Sequence, residues 1–243
     1  MTTRMIKTSP QVYARNAGIL YLLIIILGAV NQIFIRGRII VSDDAVSTAN
    51  NIMASQSLWR IGIAGDIIMH LFDIAIMLIL YVLLKPINKN LTLIAVLFNV
   101  IQTAVLVLNK LNLVIPLLLL GNADYLQVIE PSQLYALSNL FLKAHDLGFS
   151  IGLIFFGFAC LTYGYLIFNS GYFPKVIGIL VLIAGLSYLM NSFTLILAPD
   201  YSGKILPVLA FALIGELAFS LWLIVKGVNL QKWEKRTLES ECL

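Results

Sequence analysis

Charge is scarce in this sequence: only 12% of its 243 residues are Asp, Glu, Lys or Arg. A soluble domain carries about twice that share, so a water-facing globular body is excluded. Cysteine is almost absent. Cys160 sits inside an apolar run and Cys242 in a charged tail, and their spacing offers neither a zinc site nor a disulfide framework. No HExxH helix, nucleophile elbow, glycine-rich phosphate loop or haem-attachment motif occurs, which removes the enzyme classes built on those devices. The net charge of +4 is not gathered into a stripe but placed beside apolar runs. That arrangement speaks for a membrane and against a nucleic-acid partner.

What the chain has in quantity is hydrocarbon. It is 60% hydrophobic, with a mean hydropathy of +0.95. The pattern predicts an all-α fold, a polytopic transmembrane bundle of six helices forming one membrane domain over 1–243. The helices are expected at about 16–35, 61–84, 91–120, 147–168, 174–197 and 205–225, followed by a short tail, 226–243. The first run follows Arg4, Lys7 and Arg15 but is too long for the core of a signal peptide and lacks a cleavage pattern. It reads as a retained helix. Between the first two spans Asp43 is placed to cap a short helix that lies in the interface or packs on the bundle. After Pro131 the helical spacing of Leu134, Leu137, Phe141 and Ala144 leads into the fourth span without a break.

Ten lysines and arginines fall in the N-terminal arm, the 2–3 turn, the 4–5 turn and the tail, against five on the opposite side. The positive-inside rule then puts both the N- and C-termini in the cytoplasm, the short turns inside and the two long connections outside. The expected setting is the lipid bilayer of the plasma or inner membrane.

Against this apolar background the ionisable residues stand out. Asp66-x-x-x-His70-x-x-Asp73 lies inside an apolar span, and at about 100° per residue all three fall within about 60° of one helical face. Charge is costly at that depth, so such a face turns to a bundle interior, a partner or a water-filled cavity. The third span adds Asn99, Gln102, Asn109 and Lys110 within an arc of about 100°. Counting at about 1.5 Å per residue puts His70, Asp73, Lys110 and Glu216 about 13–18 Å below the outer boundary. Asp66 and Asn191 lie shallower, and His145 and Asp146 stand at the outer mouth. These nine residues, Asp66, His70, Asp73, Asn109, Lys110, His145, Asp146, Asn191 and Glu216, form the candidate ligand or proton site.

Three readings follow. The first is an outward-opening site for a small polar ligand or for protons, in a binding or transport protein. Carboxylates and histidine suit proton handling because burial and neighbouring charge tune them. If Lys110 offsets one carboxylate, the remaining negative charge favours protons or a cation over an anion. Six helices are few for a transporter, so a homodimer is expected. The second reading is a membrane-embedded metal-dependent hydrolase with Asp66, His70, Asp73 and His145 around a divalent ion; Lys110 at that depth counts against it. The third is a scaffold, in which Lys110 pairs with Asp73 or Glu216 and fixes helix register. None of the three names a substrate, and whether the chain is an enzyme stays open.

From His145 to Ser192 the residues His145, Gly148, Gly152-Leu153, Phe155-Phe156-Gly157, Gly164-Tyr165-Leu166, Ser170-Gly171, Pro174, Gly178, Gly185, Tyr188-Leu189 and Ser192 form a pattern. Together with Arg15-x-x-Gly18, it resembles a family of uncharacterised bacterial integral membrane proteins, domain of unknown function 4386. The resemblance implies a six-helix protein of the bacterial inner or plasma membrane, includes His145 in its pattern, and brings no activity with it.

The topology has a direct check. A cysteine in the C-terminal tail should resist an impermeant thiol reagent in intact cells and react after permeabilisation; labelling in intact cells would invert the orientation.

Overall fold

Large apolar side chains cover the outside of this protein, while small and polar ones fill much of the inside. Ile61, Leu71 and Leu108 are each at least 60% exposed, whereas Asp66, Thr92 and Ser192 are fully buried. Only lipid accepts such a surface over spans of this length. The computed structural model describes residues 9–241, without the Glu241 side chain; Arg4, Lys7 and Cys242 lie outside the described residues.

Six helices are long and apolar enough to cross a membrane: α1 Pro10–Ile39, α3 Gln56–Leu84, α4 Lys89–Leu119, α5 Pro131–Asn169, α6 Lys175–Leu197 and α7 Pro199–Val225. Two more complete the set, α2 Ala45–Ala54 and α8 Leu230–Glu241. The fold is an all-α polytopic bundle, with no strand among the described residues. Local chemistry sets several boundaries. Ser9 caps α1 ahead of Pro10, Asn88 accepts from the Leu91 amide to start α4, and Pro131 opens α5.

Some elements differ from their expected extents. At 39 residues α5 would reach about 58 Å, well beyond a hydrocarbon core of about 30 Å, so it projects from the membrane. The cap of α2 is Asp44, not Asp43. Asp43 adopts a left-handed conformation (φ 58°) that turns the chain, while Asp44 accepts from the Ser47 amide at 2.9 Å and its hydroxyl at 2.6 Å. Those hydrogen bonds hold the Asp44 carboxyl below its usual range. The tail forms α8, whose start is capped by Asn229.

The two ends of the described chain meet at the same end of the bundle. Pro86 interrupts the amides that would serve the end of α3, and the Leu83 carbonyl instead accepts from the Tyr172 hydroxyl (2.6 Å) and the Trp233 indole (3.0 Å). Gln11, near the start of α1, bonds the Lys226 carbonyl and the Val228 amide.

Helices α5 and α6 meet through glycine. A methyl group at Gly178 would fall 2.6 Å from the Phe168 nitrogen, and one at Gly164 would fall 2.8 Å from the Leu182 nitrogen. Gly148 and Gly152 serve the α4 side of α5, seated against Asn109 and Leu106. The buried apolar residues divide into two clusters. One, including Leu80, Leu83, Leu166 and Leu223, fills the inner half; the other, including Ile39, Ile52, Trp59, Leu117 and Leu142, fills the outer end beneath α2. The polar residues of the candidate site lie between these clusters.

Because backbone, not a flexible side chain, blocks position 178, Gly178→Ala should lower stability by about 1–3 kcal/mol. Gly203→Ala, where nothing lies within 4 Å, should leave it nearly unchanged. Thermal unfolding of both variants in detergent checks the contrast.

Candidate functional site

The site is built from the face of α3 that carries Asp66, His70 and Asp73. Each step of about one turn brings the next residue under the last, and α4 runs antiparallel beside them. Lys110 meets Asp66 and Thr103 meets Asp73. Seven residues, about two turns, separate the two contacts on both helices, so the polar stripes stay in step across the interface.

Asp66 is fully buried and has every oxygen engaged. Its Oδ2 accepts from Lys110 Nζ at 2.8 Å and from Arg36 Nη1 at 2.7 Å, and its Oδ1 from Asn31 Nδ2 at 2.7 Å. Asn31 also donates to the Gly62 carbonyl at 2.9 Å. Asn31 and Arg36 reach the same carboxylate because α1 becomes a π-helix over Asn31–Arg36. In an α-helix residues five apart diverge by about 140°, whereas the i→i+5 bonding of a π turn brings them to one face. Gly62 and Gly65 lie against Asn31 and leave it room.

Two carboxyls lie apart from this charged layer. Asp73 receives Thr103 Oγ1 at 2.6 Å and Asn99 Nδ2 at 3.3 Å, and Gln102 donates to it at 3.1 Å with its amide oriented to suit its neighbours. Glu216, on α7, accepts from the Tyr188 hydroxyl of α6 at 2.7 Å, with Tyr21 of α1 beside it. Both have neutral donors, and neither has an ion-pair partner among the described residues.

His70 and His145 are more than nine-tenths buried, and Nε2 of each lacks a hydrogen-bond partner. Both rings lie within electrostatic range of Lys110. The buried Tyr163 hydroxyl, in the inner cluster, is likewise unpartnered. Asn109 donates to the His145 carbonyl at 2.9 Å and accepts from Asn112, so it positions α5 against α4.

The structure thus gathers Asp66, His70, Lys110 and His145, with Asn109 supporting them and Asp73 about two turns deeper than Asp66. It leaves others aside. The Asp146 side chain is 78% exposed and approaches His145 Nδ1 only to 3.6 Å. Asn191 is half-buried on α6, and Glu216 belongs to a separate group with tyrosines. Lys110 pairs with Asp66, not with Asp73 or Glu216 as the scaffold reading expected, because the matched two-turn steps of α3 and α4 set those levels. Arg36 joins Lys110 at Asp66, so the layer around these two cations holds one carboxylate, with Asp73 and Glu216 lying apart from it. Directly outside this layer stands the outer apolar cluster, where the Trp59 indole donates to the Leu113 carbonyl at 2.9 Å.

Sequence reasoning treated Arg36 as the flank of a span and passed over Asn31. The available signal was a polar pair at the outer end of an apolar run; what hid it was the π turn. Nor do the residues suit a metal ion. No group of three His, Cys, Asp or Glu side chains among the described residues could hold one, and Asp66 already carries two cations.

Six spans, a lipid-facing exterior and a buried polar layer define a multi-pass integral membrane protein. A family model described as Domain of unknown function (DUF4386) matches residues 16–227, and the chain belongs to that family. An "Uncharacterized protein" of the archaeon Archaeoglobus fulgidus is 27% identical over 172 residues, covering 70% of this chain and 86% of the relative. No solved structure matches.

Removing one partner from a buried ion pair leaves an uncompensated charge, so Asp66→Asn should cost about 3–5 kcal/mol. If the contact is coupled as the distances indicate, Lys110→Met should cost less in the Asp66→Asn background than in the parent. Equal costs in both backgrounds, measured by unfolding in detergent, would remove the coupling.

Proposed function

We propose that the bundle is a binding or transport protein of the plasma or inner membrane, holding a small polar ligand in its outer half and passing protons through Asp73 and Glu216. The observation that carries this reading is the pair of unpartnered buried atoms beside the charged layer, His70 Nε2 and His145 Nε2. Buried polar groups in a purely structural core are paired, because an unmade hydrogen bond costs about 1–3 kcal/mol. Leaving two such nitrogens beside a layer of charge is characteristic of a site whose partners come from outside the chain. Ionisable residues inside a membrane point the same way.

The carboxyls divide the labour. Asp66 is locked by two cations and an amide and serves as an organiser. Asp73 and Glu216 have only neutral donors and are the groups able to gain and lose a proton without breaking an ion pair. The outer cluster under α2, with Ile52 and Trp59, covers the layer along the bundle axis, so access from that end needs movement of the cap, and the partly exposed Arg36 side chain marks the lateral edge. Six helices working as a homodimer would suit transport.

A scaffold reading has its own observation, the tie among α1, α3 and α4 made by Arg36, Asp66 and Lys110. The two readings part on the carboxyls that the tie does not use. In liposomes with a trapped pH indicator, the purified protein should carry protons above the leak of empty vesicles. Asp73→Asn and Glu216→Gln should each lower that flux about tenfold or more while the protein remains folded. Flux no greater than the leak, or unchanged in both variants, would favour the scaffold.

A further inference from the structure

The outer layer has more positive charge than its acid can answer. Arg36 and Lys110 both lie within 2.8 Å of the same oxygen, Asp66 Oδ2, and Asn31 occupies the other. The remaining ionisable neighbours are the two histidines and Asp146, whose side chain is 78% exposed and turned to the periphery. Inside the layer two cations therefore face one carboxylate. In a medium that solvates charge poorly, such an excess calls for a counter-ion.

Hydrogen-bonding capacity has the same sign. Lys110 Nζ makes one bond to the protein, leaving two of its three N–H groups unused. Arg36 donates Nη1 to Asp66 and Nε to Gln32, and Nη2 has no acceptor among the described residues. Asp66 already accepts three of the about four hydrogen bonds a carboxylate can take, and Asn31 and Asn109 are engaged with the backbone. The layer thus offers donors and few acceptors. The Arg36 side chain is 16% exposed, which gives the layer an edge reachable from the outer leaflet.

We infer that the ligand of this outer site is an oxyanion, a carboxylate or phosphate group bridging Arg36 and Lys110 on the side away from Asp66. The inference rests on the ligand-binding reading above and narrows it to one charge class. Arginine suits the role, since its planar fork matches the two oxygens of such a group, and lysine adds a point charge. A cation placed there would meet two like charges around a carboxylate that already has two cationic partners. The unpartnered histidine nitrogens supply polar contacts at the margin of the layer. The oxyanion could belong to a free solute or to the headgroup of an anionic lipid, and experiment separates the two.

The test uses the full chain in nanodiscs of zwitterionic lipid. Radiolabelled orthophosphate and acetate are titrated in turn, and native mass spectrometry measures retention of phosphatidylglycerol against phosphatidylethanolamine. Saturable binding of phosphate or acetate assigns a free solute, and selective retention of phosphatidylglycerol alone assigns a headgroup. In either case Arg36→Gln and Lys110→Met should weaken binding about tenfold or more, as loss of a charge-assisted hydrogen bond does. Arg36→Lys, which keeps the charge and tests folding, should retain most of it. Failure to bind any of these anions, or equal binding in Arg36→Gln and the parent, would overturn the inference. Saturable binding of tetramethylammonium in place of the anions would also overturn it while leaving a ligand site in the bundle.

Discussion

A carboxylate buried between two cations in an apolar medium constrains the rest of this structure. Asp66 would be ruinously unstable alone at that position, and Arg36 and Lys110 would be hardly better. Each is tolerable only when the others are within hydrogen-bond distance, which ties α1, α3 and α4 to one another at a single level. The π turn of α1 follows from the same demand, because Asn31 and Arg36 reach one carboxylate only if the helix is locally widened. Gly62 and Gly65 follow too, leaving space for Asn31 between the helices.

Away from that level, packing depends on close approach. Without a hydrophobic force between helices in lipid, contact area and short distances hold them. Glycines at 157 and 164 of α5 and at 178 and 185 of α6 repeat at seven-residue steps and let the two backbones touch. Gly148 and Gly152 make room for the Asn109 and Leu106 side chains of α4, and in doing so they bring the His145 turn to Asn109 and the charged layer. The polar layer is therefore held from both sides, by ionic contacts towards α1 and α3 and by small residues towards α5.

The separation of roles among the three buried carboxyls bears on function. Asp66 is held by two cations and an amide, while Asp73 and Glu216 have neutral partners on different helices. Two apolar clusters enclose the layer, so what is seen is a closed arrangement whose unpartnered atoms face inward.

Composition and periodicity were enough to determine a six-span helical bundle, since hydrocarbon solvates only long apolar helices and every other backbone arrangement leaves polar groups unmet. The shared face of Asp66, His70 and Asp73 was also legible, because helical phase is local. So was the polar stripe of α4. The partners of those residues were not. Lys110 goes to Asp66 because two antiparallel helices happen to stand in that vertical register, and register is set by packing along their whole length. Arg36 arrives through a π turn that no spacing rule for α-helices contains. Tyr188 finds Glu216 across an interface between α6 and α7 whose rotation depends on neighbouring helices. Charge type and helical phase were written in the chain, but which charges meet was decided only when the helices packed.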